Sequence, residues 1–360
     1  MRKIDEETLR FTAPTTPKDQ VLFLGSAISA AALAWLLVSQ ILPLPGPVPF
    51  AITFLVLLMV IYGLVVQQAE NSLAAVDRLM TLVIALGAGI VMLPLVMIIW
   101  FVVSKGAHIL NWNFFVQDLS HVGALDAGGG LAMAIVGTLE QIGIAVVLAV
   151  PLGMMTAVFL NEVKGPLRRP VRMFVDAMSG VPSIVAGLFI YAIFIQPIAK
   201  QGSGFAAALA LSILMLPTIA RTSEEVLRLV PDGLREASLG MGATQWRTVL
   251  TVVLPTARNG LITAVVLGVA RVVGETAPLI MTALGNTSMN ADPLHGPQDA
   301  LPLRVYTLLR AGNVTQNERA YGGAFVLIFL VLALFSVARI LGSRAAGSKT
   351  LSLPRFKRSK

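Results

Sequence analysis

The sequence predicts an all-α integral membrane protein with about eight transmembrane helices. Three observations carry this. Of 360 residues, 56% are hydrophobic and only 13% charged, with mean hydropathy +0.80, whereas a water-soluble domain carries about 25% charged residues. Eight apolar runs reach the roughly 20 residues that a bilayer core demands of a helix. None of them alternates with a period of two, which excludes a β-barrel.

The first run covers 21–44. Arg2, Lys3, Arg10 and Lys18 precede it, as basic residues precede a secretory signal. The run is longer than the roughly 7–15 residues of a signal core and no A-x-A site follows, so an uncleaved anchor is expected. The second run, 48–66, follows directly after "PLPGP" (43–47), which makes the first two spans a tight helical hairpin. The third is 80–104 and contains Pro94; the fourth is 131–160 and contains Glu140 and Pro151. The fifth, 173–196, contains Asp176 near its inner end and Pro182 within "SGVPSIVAG", whose small residues allow close helix approach. The sixth, 204–222, contains Pro217. The seventh, 259–284, contains Pro278, Arg271 and Glu275, and the eighth is 322–342. Each internal proline removes a backbone donor and kinks its helix. Inside a bilayer the freed carbonyls need protein or water partners, so five such kinks suggest a bundle around a pathway.

Lys and Arg fix the orientation. With the N-terminus inside, the inner loops 1–20, 67–79, 161–172, 221–258 and 343–360 hold 20 Lys/Arg, against 5 in the outer loops 45–47, 105–130, 197–203 and 285–321. Both termini are therefore expected in the cytoplasm, with the tail "RFKRSK" close to anionic lipid headgroups. The net charge of +8 reflects this topology and not nucleic-acid binding. Cysteine is absent, and His108, His121 and His295 lie far apart in polar loops with no metal-ligand spacing. "GSRAAGSKT" (342–350) has Ser348 where a phosphate-binding loop needs lysine and follows a membrane helix, so no ATP site is expected in this chain.

The long inner loop 221–258 is the polar exception. Two short amphipathic helices are expected, at Pro231–Gly240 with Asp232 as a cap, and at Ala243–Leu254 ending before Pro255. Gly240 and Gly242 would allow a sharp turn between them. The order Glu236-Ala237-Ser238, three residues, Gly242, nine residues, Val252, one residue, Leu254-Pro255 resembles the "EAA" loop of ABC-importer permeases. Ser238 stands for the second Ala and Val252 for Ile. The resemblance implies that this loop docks into a groove of a separate ATPase. Glu236 would then be the polar key, Gly242 the turn, and Leu239, Met241 and Trp246 the candidates for the apolar contact face.

"FLNE" (159–162), "GVPSIVAGLF" (180–189), "LPTIARTSEEVLRLVP" (216–231), "GETAPL" (274–279) and "LPLRVYTLLRAG" (301–312) resemble the A-type permease (PstA) family of phosphate-specific ABC importers. The likeness covers roughly 75–343 and not the first 70 residues. It implies a six-helix type I permease core over 75–343, an additional hairpin over 21–70, and short cytoplasmic segments at 1–20 and 344–360. It further implies phosphate as substrate and three kinds of partner: a second, C-type permease, a dimer of ATPase subunits that bind the ATP and Mg, and an external phosphate-binding protein. The outer loops 105–130 and 285–321 would receive that protein.

Arg271 and Glu275 are four apart, and on one helix they would share a face. A charge in a bilayer costs about 2.5–3.5 kcal/mol on insertion scales. A helix-packing ion pair is one account of the two; the other is that Arg271 meets phosphate, whose oxygens fit a guanidinium fork, while Glu275 holds the side chain and tempers its charge so that the anion can leave. Glu140 and Asp176 are read first as packing partners and second as supports of that Arg, and Arg221 as a snorkelling interface residue. Three rival readings remain: the same machine for sulfate, molybdate or phosphonate; an ion-coupled secondary transporter, which would have no use for the 221–258 loop; and a membrane sensor or scaffold.

Overall fold

The computed structural model describes residues 17–42, 46–126 and 128–346. The basic clusters expected at 1–16 and 347–360, and part of the turn at 43–47, lie outside the described residues. The chain forms two compact units, one up to Ile99 and one from Trp100 onward.

The first unit contains α1 (Pro17–Trp35, continued by a π-helical turn, Leu36–Ile41), α2 (Pro47–Ala69) and the start of α3 (Ser72–Gly106). Gly46, at φ +108, turns the chain into α2, where Pro47 sits in the first turn and lacks only a donor that a helix start leaves unused. Ala30, Leu58, Tyr62, Val66 and Ala75 form the core of the unit. An Asp19–Arg78 ion pair at 2.8 Å joins α1 to α3.

The second unit takes the end of α3 and adds α4 (Trp112–Val116), α5 (Ala132–Glu162), α6 (Arg168–Ser179), α7 (Ser183–Ile190, extended by a π-helical stretch to Ala199) and α8 (Gly204–Arg228). It ends with α9 (Asp232–Gly240), α10 (Gln245–Thr248), α11 (Leu254–Val273), α12 (Ala277–Thr282), α13 (Leu301–Ala311) and α14 (Val314–Ala346). The pair α5 and α8 is its centre. Ala145, Ala149, Ala207, Ala208 and Leu211 meet along this pair. A Cβ on Gly153 would stand 2.9 Å from Ile219, so glycine lets the helices close.

Among the described residues, seven helices are long and apolar enough to cross a bilayer, or eight if α6 and α7 are counted together as one bent span. That pair corrects the straight fifth span. The two helices meet at 106° across the break 180–182. Gly180 ends α6, and Pro182 holds the residue before it out of helical geometry. Arg168, Arg169 and Arg172 make α6 strongly amphipathic, which suits the membrane surface better than its interior.

The seventh span is corrected as well. It begins earlier, at Gln245, and stops at Val273. Pro278 has no N–H for the carbonyl of Gly274, and its ring would clash there, so the chain breaks at 274–276 and restarts as the short α12. The expected helix end before Pro255 does not occur either. A π-helical stretch, Val249–Val253, leads straight into α11, and Pro255 falls in its first turn. Asp232 does not cap α9; its carboxylate accepts from Arg235 at 3.0 Å.

Candidate functional site

The 221–258 protrusion is built from α9 and α10. Gly242, at φ +85, makes the turn between them. Successive residues of a helix point about 100° apart, so Glu236 and Arg235 face different ways. Glu236 and Ala237 are exposed, as are Leu239 (47%), Met241 (83%) and Trp246 (65%). Arg235 and Ser238, three apart, face the bundle. The Ser238 hydroxyl is buried and lies 2.9 Å from that of Thr248, tying α9 to α10. Leu254 is half-buried and Pro255 exposed at the start of α11.

Arg271, in the last turn of α11, is exposed and donates from Nη1 to the Thr218 hydroxyl of α8 at 2.8 Å. Its partner is Thr218 and not Glu275. Glu275 lies beyond the break at Gly274, so the two residues do not share a helix face. Further along α8, Arg221 pairs with Asp176 of α6 at 2.7 Å, and Glu224 accepts from Arg172 and, at 2.6 Å, from Arg228. Thr218, Arg221, Glu224 and Arg228 thus form one polar stripe toward the C-terminal end of α8. Asp176 serves this stripe and does not touch Arg271.

Glu140 belongs elsewhere. It accepts from Gln298, which is wholly buried. Gln141 donates to Gln298 at 3.1 Å and to the Asp299 carbonyl at 3.0 Å. Asp299, 2% exposed, pairs with Arg304 at 2.6 Å, and Arg304 also donates to the Asn286 carbonyl. Burial pushes the Asp299 carboxyl above the ordinary carboxylate range, with Arg304 opposing it in part. The chain after α12 therefore folds back and is pinned against α5. Its neighbour is loop 117–122: Leu119 donates to the Thr287 carbonyl, and Met289 to the Asp118 carboxylate, both at 3.0 Å.

Sequence reasoning missed Arg235, Glu162, Thr218 and the network around Gln298 and Asp299. Only Arg235 left a trace, as a cation three residues before Ser238 on the same short helix. Among the described residues, no group of three or more His, Asp or Glu is arranged to hold a metal ion.

Residues 149–347 match the family described as binding-protein-dependent transport system inner membrane component. Over 289 residues the chain is 39% identical to the phosphate transport system permease protein PstA 1 of Mycobacterium tuberculosis, covering 80% of this chain and 92% of that protein. It is 36% identical over 245 residues to the phosphate transport system permease protein PstA of Pasteurella multocida, covering 68% and 86%. Among solved structures, a chain of the MetNI methionine ABC transporter in an inward-facing conformation aligns at 23% identity over 59% of this chain and 94% of that one, with a TM-score of 0.46.

Proposed function

We infer the function from a family assignment: this chain belongs to the binding-protein-dependent transport system inner membrane components. It is the multi-pass membrane permease of an ATP-driven phosphate importer. It performs no covalent chemistry, and a separate subunit hydrolyses ATP. The importer as a whole takes a partner permease, an ATPase and a binding protein.

The finer reading is ours. The partner is a C-type permease, the ATPases form a dimer that holds ATP and Mg, and both termini of this chain are cytoplasmic. The ATPases receive the exposed face of α9 and α10, with Glu236, Ala237 and Gly242 at the contact, and Leu254-Pro255 join that protrusion to α11. The observation that carries the pathway is the Arg271–Thr218 contact. A neutral hydroxyl orients the guanidinium and leaves its charge and remaining donors for an anion. Arg221 with Asp176 then offers phosphate a second, weaker stop toward the cytoplasm, which suits passage better than one tight site. Glu275, at the break, lines the same region without neutralising Arg271. Glu140 shapes the outer segment that meets the binding protein.

Labelled phosphate uptake tests this in cells lacking the chain, complemented with wild type, Arg271→Gln or Glu236→Lys, under excess sulfate. Wild type should rescue uptake regardless of sulfate. Arg271→Gln should assemble and lose about 10- to 100-fold, the range set by about 1.5–3 kcal/mol for a hydrogen bond to a charged group. Glu236→Lys should lose ATPase on pull-down. Inhibition by sulfate would favour a general oxyanion permease, and full rescue by Arg271→Gln would return that residue to helix packing.

A further inference from the structure

The ATPase contact face and the phosphate pathway are on different elements, so a physical joint must connect them. A guanidinium has five N–H donors in a rigid fork. Arg235 uses all five. Nε and one Nη2 hydrogen go to Glu162 Oε1 at 3.2 and 3.0 Å. The other Nη2 hydrogen goes to the Leu227 carbonyl at 2.9 Å. Nη1 donates to the Val230 carbonyl at 2.6 Å and to Asp232 at 3.0 Å. The side chain is only 16% exposed and that of Glu162 only 9%.

These acceptors lie on three elements. Glu162 is the last residue of α5, Leu227 lies in the last turn of α8, and Val230 lies two residues beyond that helix, where its end leaves carbonyls in need of partners. Asp232 opens α9 itself. A second strut repeats the connection: Gln245 of α10 donates to the Glu162 carbonyl. Asn161 donates to that same Glu162 Oε1 at 2.7 Å. The protrusion is thereby fixed to the inner ends of α5 and α8, and α8 carries Thr218 and Arg221.

We infer that Arg235 is the positioning residue that couples ATPase movement to the phosphate pathway, through Glu162 on α5 and the terminal carbonyls of α8. It touches neither phosphate nor the ATPase face. Neighbouring Glu236 points outward to the docking surface while Arg235 points inward, so adjacent residues divide docking from transmission. A buried fork of this kind holds direction as well as distance, and rigid elements are what carry coupling between remote sites. A lysine keeps the charge but not the fork.

The inference rests on the importer reading, and the test separates the two. The assembled complex with its ATPase and binding protein is placed in liposomes, and phosphate import and ATP hydrolysis are measured on the same sample. Wild type must import phosphate at the expense of ATP; hydrolysis without phosphate import there sinks the importer reading. Arg235→Ala should assemble and hydrolyse ATP, while phosphate moved per ATP falls about tenfold, within the usual span of coupling between sites. Arg235→Lys should fall in between. A merely structural Arg235 would lower the yield of complex and leave that ratio unchanged. Should Arg235→Ala fail to assemble, Glu162→Gln probes the joint from its other side, and a lowered ratio is expected. An unchanged ratio in assembled Arg235→Ala, or in Glu162→Gln where the first variant does not assemble, overturns the joint.

Discussion

Asp118 shows how much one carboxylate can organise between two distant loops. It accepts from the hydroxyl of Ser120 at 2.7 Å, from the Ser120 amide, and from the Met289 amide across a gap of 171 residues in sequence. These bonds, that from the Ser120 hydroxyl first, hold its carboxyl below the ordinary range. The sign follows: the ionised form is favoured in the folded chain, so its support of the loop pair is complete above the ordinary Asp value of about 3.9. It is lost as the pH falls through the depressed value. At neutral pH the Met289 amide should exchange slowly with solvent in wild type and rapidly in Asp118→Ala; equal exchange would show that the Leu119–Thr287 bond holds the loops alone. Single residues differ in how far the sequence reveals them. Arg271 stood out as a charge in an apolar run. Its partner did not, because Thr218 lies 53 residues away, and the nearer Glu275 offered a spacing that only an unbroken helix could use. Arg235 and Glu162 were hidden for the same reason, being 73 residues apart.

Elements follow hydropathy in their length and depart from it at their breaks. Pro94, Pro151 and Pro217 stay inside continuous helices, whereas Pro182 and Pro278 accompany breaks. The two breaking prolines each have a glycine within the preceding four residues, Gly180 and Gly274. Glycine lowers the cost of leaving the helix at the point where proline has already removed a bond. Composition alone also hid the direction of α6, because its apolar residues complete a membrane-length run although the chain bends by 106° between α6 and α7. At the inner protrusion the departure from the family pattern has a structural use. Ser238 replaces an alanine and supplies the hydroxyl that meets Thr248. The chain has no cysteine, so a Ser238→Cys, Thr248→Cys pair would be free of competing thiols. With the native oxygens 2.9 Å apart, mild oxidation should link the pair, as a mass shift on reduction would report. Import should survive the link, since the Ser238–Thr248 contact already ties α9 to α10. Import that stops on oxidation and returns on reduction would mean that the clamp opens in each cycle.

At the scale of the whole molecule, the division into two units assigns the work. The family match begins at residue 149. Arg271, Thr218, Glu236, Arg235 and Glu162 all lie in the unit that starts at Trp100. The first unit has its own core around Tyr62 and its own Asp19–Arg78 pair, so it closes on itself without borrowing a pathway or coupling residue. Removing residues 2–70 would delete the two spans of α1 and α2 together. An even number of spans leaves every later loop on its original side, and the inner loops from 161 onward keep their Lys and Arg to enforce it. The shortened chain should therefore insert in the same orientation and still import phosphate, measured as uptake alongside a reporter fused to its C-terminus. A correctly oriented chain that assembles with its partners yet fails to import would place the hairpin inside the transport cycle.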